Sequence, residues 1–135
     1  MKSLPQTTTL PVVCLIEDDD AILKSCAQSL MLEGFAVHGY ACARDFLGAE
    51  RPDFPYVVIT DVNLPDEDGL TLMRKVLGEN AQVPVIVMTG HGDIGMAVES
   101  MREGAFDFIE KPFSPDRLTT TVRNAVDKAR LVYQV

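Results

Sequence analysis

Carboxylates gather where apolar runs stop. The run Val57-Val58-Ile59-Thr60 ends at Asp61, and the run Pro11-Val12-Val13-Cys14-Leu15-Ile16 ends at Glu17-Asp18-Asp19-Asp20. An acid at the mouth of a buried strand is expensive to ionise alone, so Asp61 needs a cation or a reaction to justify it. If Glu17, Asp18 and Asp61 share one pocket, each raises the pKa of the others unless a cation sits among them. Hard oxygen donors with room for water suit Mg²⁺ or Mn²⁺. Helix capping is the competing explanation for the acidic run. It accounts for Asp19 and Asp20, which suit the free N–H groups and dipole of a helix start. It leaves Asp61, on a separate run, unexplained.

Two further run ends add to this set. Residues 83–88 lead into Thr89-Gly90-His91-Gly92, and residues 105–109 lead into Glu110-Lys111-Pro112-Phe113. Alone, Thr89 reads as a turn residue and Lys111 as a solvated charge. Together with Asp61 they supply a carboxylate nucleophile, a hydroxyl donor and a cation, and Gly90 keeps the approach open. With a metal, those parts make up a phosphoryl-transfer site. Asp61 attacks phosphorus, the metal and Lys111 neutralise equatorial oxygens, and Thr89 bonds a third.

A scaffold must bring these ends together. Short runs at residues 11–16, 35–40, 57–61, 83–88 and 105–109, the central one rich in β-branched residues, read as strands. Between them lie helical faces: Ile22, Cys26 and Leu30, closed by Gly34; a short helix over residues 43–49; Leu70, Met73 and Leu77, ending at Gly78; and residues 94–103, stopped by Gly104. A last helix carries the ladder Leu118, Val122, Ala125 and Ala129. Strands alternating with helices predict an α/β fold: a five-stranded parallel sheet with five helices on both faces and right-handed crossovers. The order 2-1-3-4-5 suits this length. It puts strands one and three side by side at the switch point, so that Glu17, Asp18 and Asp61 meet in one crevice.

Composition bounds the rest. The 135 residues suffice for one domain, and a net charge of −8 gives no electrostatic reason to grip nucleic acid or an anionic membrane. Three cysteines, Cys14, Cys26 and Cys42, lack CxxC spacing and read as reduced packing residues of a cytoplasmic protein. No apolar run approaches the ~18 residues that span a bilayer, and the N-terminus does not read as a signal peptide. Residues 1–10 read as a flexible arm, 11–130 as the domain, and 131–135 as the start of a linker helix. His38 reads as a strand-surface residue. His91 reads either as an inert loop histidine or as a border of the phosphoryl entrance.

Three rival functions fit less well. A flavin-binding protein of the same topology wants hydroxyls and glycine after its first strand, where four acids stand here. A phosphatase with an aspartyl nucleophile wants a second Asp two residues on, and that place is Asn63. An interaction module that is never phosphorylated is the remaining alternative, and it would fail to take phosphate from acetyl phosphate with Mg²⁺.

The segments LIEDDDAI, VITDVNLPDEDGL, VMTGHGD and FIEKPF resemble the receiver domain of two-component response regulators, over about residues 11–130. That resemblance implies a flavodoxin-like sheet with Asp61 as phosphoacceptor. It implies Mg²⁺ (or Mn²⁺) held by Asp18, Asp61 and the backbone carbonyl of Asn63, with Glu17 acting through water. Thr89 and Phe108 correspond to the switch pair, Phe108 standing where Tyr is frequent, and Lys111-Pro112 corresponds to a cis peptide. The implied partners are a sensor histidine kinase and a second copy, the latter bound through the fourth helix, fifth strand and fifth helix. Direct contact of this domain with nucleic acid or membrane is not implied. Nor is an enzyme in the usual sense, since such a domain catalyses only its own phosphorylation and dephosphorylation. The wording GHGDIGMAV and GAFDFIEKPF is similar to receivers of nitrogen-regulation and dicarboxylate-transport regulators, and to those ahead of LuxR-type domains. A transcriptional output region outside these residues is therefore implied, with a sigma-54-interacting ATPase in the first group. Gly95 stands where that subgroup usually has Pro, which implies a looser start to the fourth helix.

Overall fold

The computed structural model describes residues 10–90 and 92–134. The expected arm, apart from Leu10, lies outside the described residues, and so does His91. Five strands, β1 (Val12–Ile16), β2 (Ala36–Tyr40), β3 (Tyr56–Asp61), β4 (Val85–Thr89) and β5 (Asp107–Glu110), alternate with five helices. The helices are α1 (Asp20–Leu32), α2 (Ala43–Gly48), α3 (Gly69–Glu79), α4 (Ile94–Arg102) and α5 (Pro115–Gln134). All strand pairs are parallel and the order is β2-β1-β3-β4-β5, as the alternation of elements predicts.

Side chains alternate across each strand, so the sheet builds two cores. Cys14, Ile16, Val58, Val85 and Val87 pack with Phe46 of α2 and with Leu72, Met73 and Val76 of α3. On the other face, Val13, Leu15, Val57, Ile59, Ile86 and Met88 pack with Cys26 and Leu30 of α1 and with Leu118, Val122 and Ala125 of α5. Each large side chain fully buried this way contributes about 1.5–3 kcal/mol. β3 is central and buried at every position, which explains the apolar stretch Tyr56–Ile59 that precedes Thr60 and Asp61. Cys14 and Cys26 are free thiols pushed up to about 11 by burial, as befits packing residues.

Four strands begin later than the apolar runs suggest, β1 by one residue, at Val12. Gly34 (φ 95°) and Gly104 (φ 113°) terminate α1 and α4 in left-handed geometry. The N–H of the next residue then folds back onto the helix: Phe35 donates to Leu30 and Ala105 to Ser100. Phe35 and Ala105 are apolar because they seal helix ends, so β2 starts at Ala36 and β5 at Asp107. In β4, Val83 donates to the Asn80 carbonyl and Pro84 has no N–H to give, which delays the strand to Val85. β4 also runs one residue further than its apolar run and includes Thr89. α5 continues unbroken across residue 130 to Gln134.

Candidate functional site

The carboxyl ends of β1, β3, β4 and β5 meet at one edge of the sheet. β1 and β3 pair in register, with Ile16 opposite Thr60, so Glu17 and Asp61 leave adjacent strands at the same level. One oxygen each from Glu17, Asp18 and Asp61 lies within 4.8 Å of the others. Glu17 is 1% and Asp61 6% exposed, whereas Asp18 faces solvent. Asp19 takes the capping role instead, accepting the Ile22 N–H at 3.1 Å.

Lys111 crosses from the end of β5 into this cluster. Its Nζ donates to Glu17 Oε1 at 2.7 Å and to Asp61 Oδ2 at 2.6 Å. The remaining oxygens are aimed by backbone donors: the Asn63 N–H reaches Asp61 Oδ1 and the Asp19 N–H reaches Glu17 Oε2, both at 3.0 Å. Burial raises the Glu17 pKa, with the Asp61 charge adding to it, and the Lys111 ammonium works against both. For Lys111 itself burial favours the neutral form, but the bonds to Asp61 and Glu17 outweigh it and hold the ammonium above its ordinary range. Each carboxylate oxygen carries two lone pairs, so those bonded to Lys111 or the backbone still have room for a cation. Hard oxygen donors this close, one of them open to water, fit Mg²⁺ or Mn²⁺.

Thr89 is buried at the last position of β4, and its carbonyl accepts the Lys111 N–H at 2.7 Å. The Lys111–Pro112 peptide is cis. Phe108 is half-buried against the core beneath α2 and α3. His38 is exposed on β2, away from these strand ends. Beside Lys111 a cleft of about 420 Å³ opens between α1 and the segment after β5, lined by Ile22, Cys26, Pro112 and Phe113 among others.

The turn 62–68 closes the site from the β3 side. Asn63 and Asp68 form an antiparallel bridge, and the Gly69 N–H donates to the Val62 carbonyl at 2.8 Å. α3 starts hard against β3: a Cβ on Gly69 would lie 2.3 Å from the Asp61 carbonyl oxygen. Gly69 reads as turn punctuation in the sequence, and nothing local reveals this contact. Two other carboxylates near the site are also invisible in the sequence. Asp93 Oδ2 accepts from Asn63 Nδ2 at 3.4 Å, and Asp66 bonds the start of α2. The capping of α3 by Asp68, which accepts the Thr71 N–H at 2.7 Å, does have a local signal in its spacing.

Residues 13–123 match the family described as the response regulator receiver domain. The chain is 46% identical over 124 residues to the C4-dicarboxylate transport transcriptional regulatory protein DctD of Rhizobium meliloti, covering 92% of this chain and 27% of that protein. It is 39% identical over 123 residues to the transcriptional regulatory protein FixJ of Bradyrhizobium diazoefficiens, covering 90% and 60%. The chain therefore spans about a quarter of the first relative and just over half of the second. A response regulator receiver domain protein from Clostridium thermocellum superposes with a TM-score of 0.81 at 30% identity, covering 91% of this chain and 99% of that one. On the strength of that match, this sheet order and the acidic cluster at its carboxyl edge, the chain belongs to the family of response regulator receiver domains.

Proposed function

We propose that Asp61 accepts a phosphoryl group from a phosphohistidine on a sensor histidine kinase, in a reaction that depends on Mg²⁺ or Mn²⁺. The observation that carries the proposal is the convergence of Glu17, Asp18 and Asp61 within 4.8 Å, with Lys111 bonded to both buried members. An Asp61 carboxylate oxygen forms the new O–P bond while the P–N bond of the donor breaks. The bonding pair stays on the imidazole nitrogen, which is left neutral or takes a proton from solvent. Asn63 N–H and Lys111 orient the Asp61 carboxylate before attack. Lys111 offsets the added charge, roughly −1.5 to −2, and Thr89 donates its hydroxyl to a phosphoryl oxygen. Asp18, Asp61 and the Asn63 carbonyl would hold the cation, with Glu17 reaching it through water. When bound, the cation supplies Lewis-acid neutralisation of the phosphoryl oxygens.

The same reading extends to output. Movement of Thr89 toward the phosphoryl group leaves space into which Phe108 turns, changing the face formed by α4, β5 and α5. Ile94, Val98 and Met101 are exposed along α4 and supply apolar surface for a second copy or an output domain there. The apolar cleft beside Lys111 offers the kinase a docking surface next to the acceptor. As the DctD and FixJ likenesses support, the output is transcriptional and lies in a region beyond these residues. The domain turns over no substrate besides its own phosphoryl group.

Wild type and Asp61→Asn incubated with acetyl phosphate and Mg²⁺, then weighed by intact mass spectrometry, test the reading. Wild type is expected to gain one phosphoryl mass, lost on adding EDTA beforehand, and Asp61→Asn to gain none. A wild-type chain that stays unmodified would sink the proposal.

A further inference from the structure

Asp66 clasps α2 from the far side of the active-site turn. Its Oδ1 accepts the Ala43 N–H at 3.0 Å and its Oδ2 accepts the Arg44 N–H at 2.8 Å. These donors belong to the first turn, which a helix cannot satisfy from within. Cys42, in the capping position, makes no side-chain cap bond. The cap comes instead from a residue 23 and 22 positions away. The Arg44 N–H bond, with the Ala43 N–H, holds the Asp66 carboxyl below its ordinary range, so the clasp is ionised at neutral pH.

What lies between the clasp and β3 gives it meaning. The turn 62–68 is tied to the sheet at its base, through Asn63 N–H to Asp61, the Asn63–Asp68 bridge and Gly69 N–H to Val62. Its tip is held by Asp66 on α2 and by Glu67, which bonds Lys75 of α3 at 3.0 Å. The Lys75–Glu67 pair joins the turn only to the helix that follows it. Asp66 ties the turn to α2 through two bonds of 3.0 and 2.8 Å, against the longer 3.4 Å bond from Asn63 Nδ2 to Asp93 before α4, and Asn63 lies three residues before Asp66.

We infer that Asp66 is a positioning residue for the cation site, clamping the turn 62–68 to α2 so that the Asn63 carbonyl stays where the cation takes it. This rests on the assignment of that carbonyl under the proposed function. Releasing the clasp lets the turn sample other arrangements, and apparent affinity falls with the fraction of molecules still competent to bind.

Mg²⁺ titrations by isothermal calorimetry test this on wild type, D66A, D66N and R51A, with folding checked by circular dichroism; the chain has no tryptophan to serve as reporter. D66A is expected to bind Mg²⁺ about three- to tenfold more weakly, with D66N, which keeps one acceptor, in between. The deficit persists in about 0.5 M KCl, where a through-space charge effect would be screened away. R51A is the control for a merely weakened α2, because Arg51 caps its other end through the Phe46 and Ala49 carbonyls at 2.8 and 2.7 Å. Its Mg²⁺ affinity stays within about twofold of wild type. If D66A binds as wild type does, if its deficit vanishes in salt, or if R51A loses as much, the inference is overturned. A wild-type chain without Mg²⁺ affinity overturns the metal assignment and this inference together. A wild type that binds, alongside an unchanged D66A, overturns the inference alone. Should D66A not fold, D66N decides by the same criteria.

Discussion

Lys111 makes two buried carboxylates tolerable beside a third. Its ammonium bonds Glu17 and Asp61, but no bond from Lys111 reaches Asp18, whose charge stands within 4.8 Å of both. Like charges at that spacing repel even when water screens them. Asp18→Asn is therefore expected to raise the stability of the metal-free protein by about 1 kcal/mol in urea titrations with EDTA. The same substitution removes a proposed cation ligand, so any stabilisation that wild type gains from Mg²⁺ by mass action is expected to shrink or disappear. The two effects have opposite signs and cross in a Mg²⁺ series. An Asp18→Asn protein less stable than wild type in EDTA would show that repulsion is not what governs this cluster.

At the scale of elements, packing decides what single substitutions do. Alanine in an open helix position is worth about 1 kcal/mol over glycine. Gly78, in α3 with nothing within 4 Å of an added Cβ, should follow that rule, so Gly78→Ala stabilises by about 0.5–1 kcal/mol. Gly69 starts the same helix but meets the Asp61 carbonyl at 2.3 Å, so Gly69→Ala is expected to destabilise by about 2–3 kcal/mol. Thermal denaturation of the pair checks the sign at each position. Between α3 and α4, Arg74 holds both oxygens of Glu103, at 2.5 and 2.7 Å. The bond to Arg74 pulls the Glu103 carboxyl from its ordinary 4.5 to about 2. A carboxyl lowered on folding stabilises the fold above its unfolded pKa and loses that contribution as pH falls through the folded value. The melting-temperature gap between wild type and Glu103→Gln should thus be full above pH 4.5 and close as pH falls toward about 2. A gap that stays constant over that window would rule out the ion pair as its source.

The whole molecule connects the buried Asp61, the proposed acceptor, to surfaces on both sides of the sheet. Thr89 and Lys111 join β4 to β5 through one backbone bond, and the turn 62–68 joins β3 to α2 and α3. Events at Asp61 therefore meet two sets of elements at once. Phosphorylation can bias an existing equilibrium only by its differential affinity for the two arrangements. Sedimentation velocity with Mg²⁺, with and without beryllofluoride as a phosphoryl mimic, is expected to show a shift from monomer to dimer through the α4, β5 and α5 face. Replacing Val98, exposed on α4, with Asp should abolish the shift. Identical sedimentation in both conditions would remove dimerisation from the mechanism. Among the described residues no helix is long and apolar enough to cross a membrane.

The alternation of strands and helices, the parallel order and the arrival of Glu17, Asp18, Asp61, Thr89 and Lys111 at one edge were all legible in the chain by itself. These follow from local periodicity and turn residues, because a side chain's period states which face it buries and a strand's end states where its chemistry emerges. Strand starts were less legible. Phe35 and Ala105 look like strand residues, yet each seals a helix that a left-handed glycine has just ended. What only the tertiary structure decided are contacts between distant segments: Lys111 on Glu17 across 94 residues, Asp66 on α2, and Gly69 against the Asp61 carbonyl. A hydrogen bond or close approach of this kind depends on a few tenths of an ångström in how packed elements sit. Periodicity carries the identity of a buried face, and packing alone sets that distance.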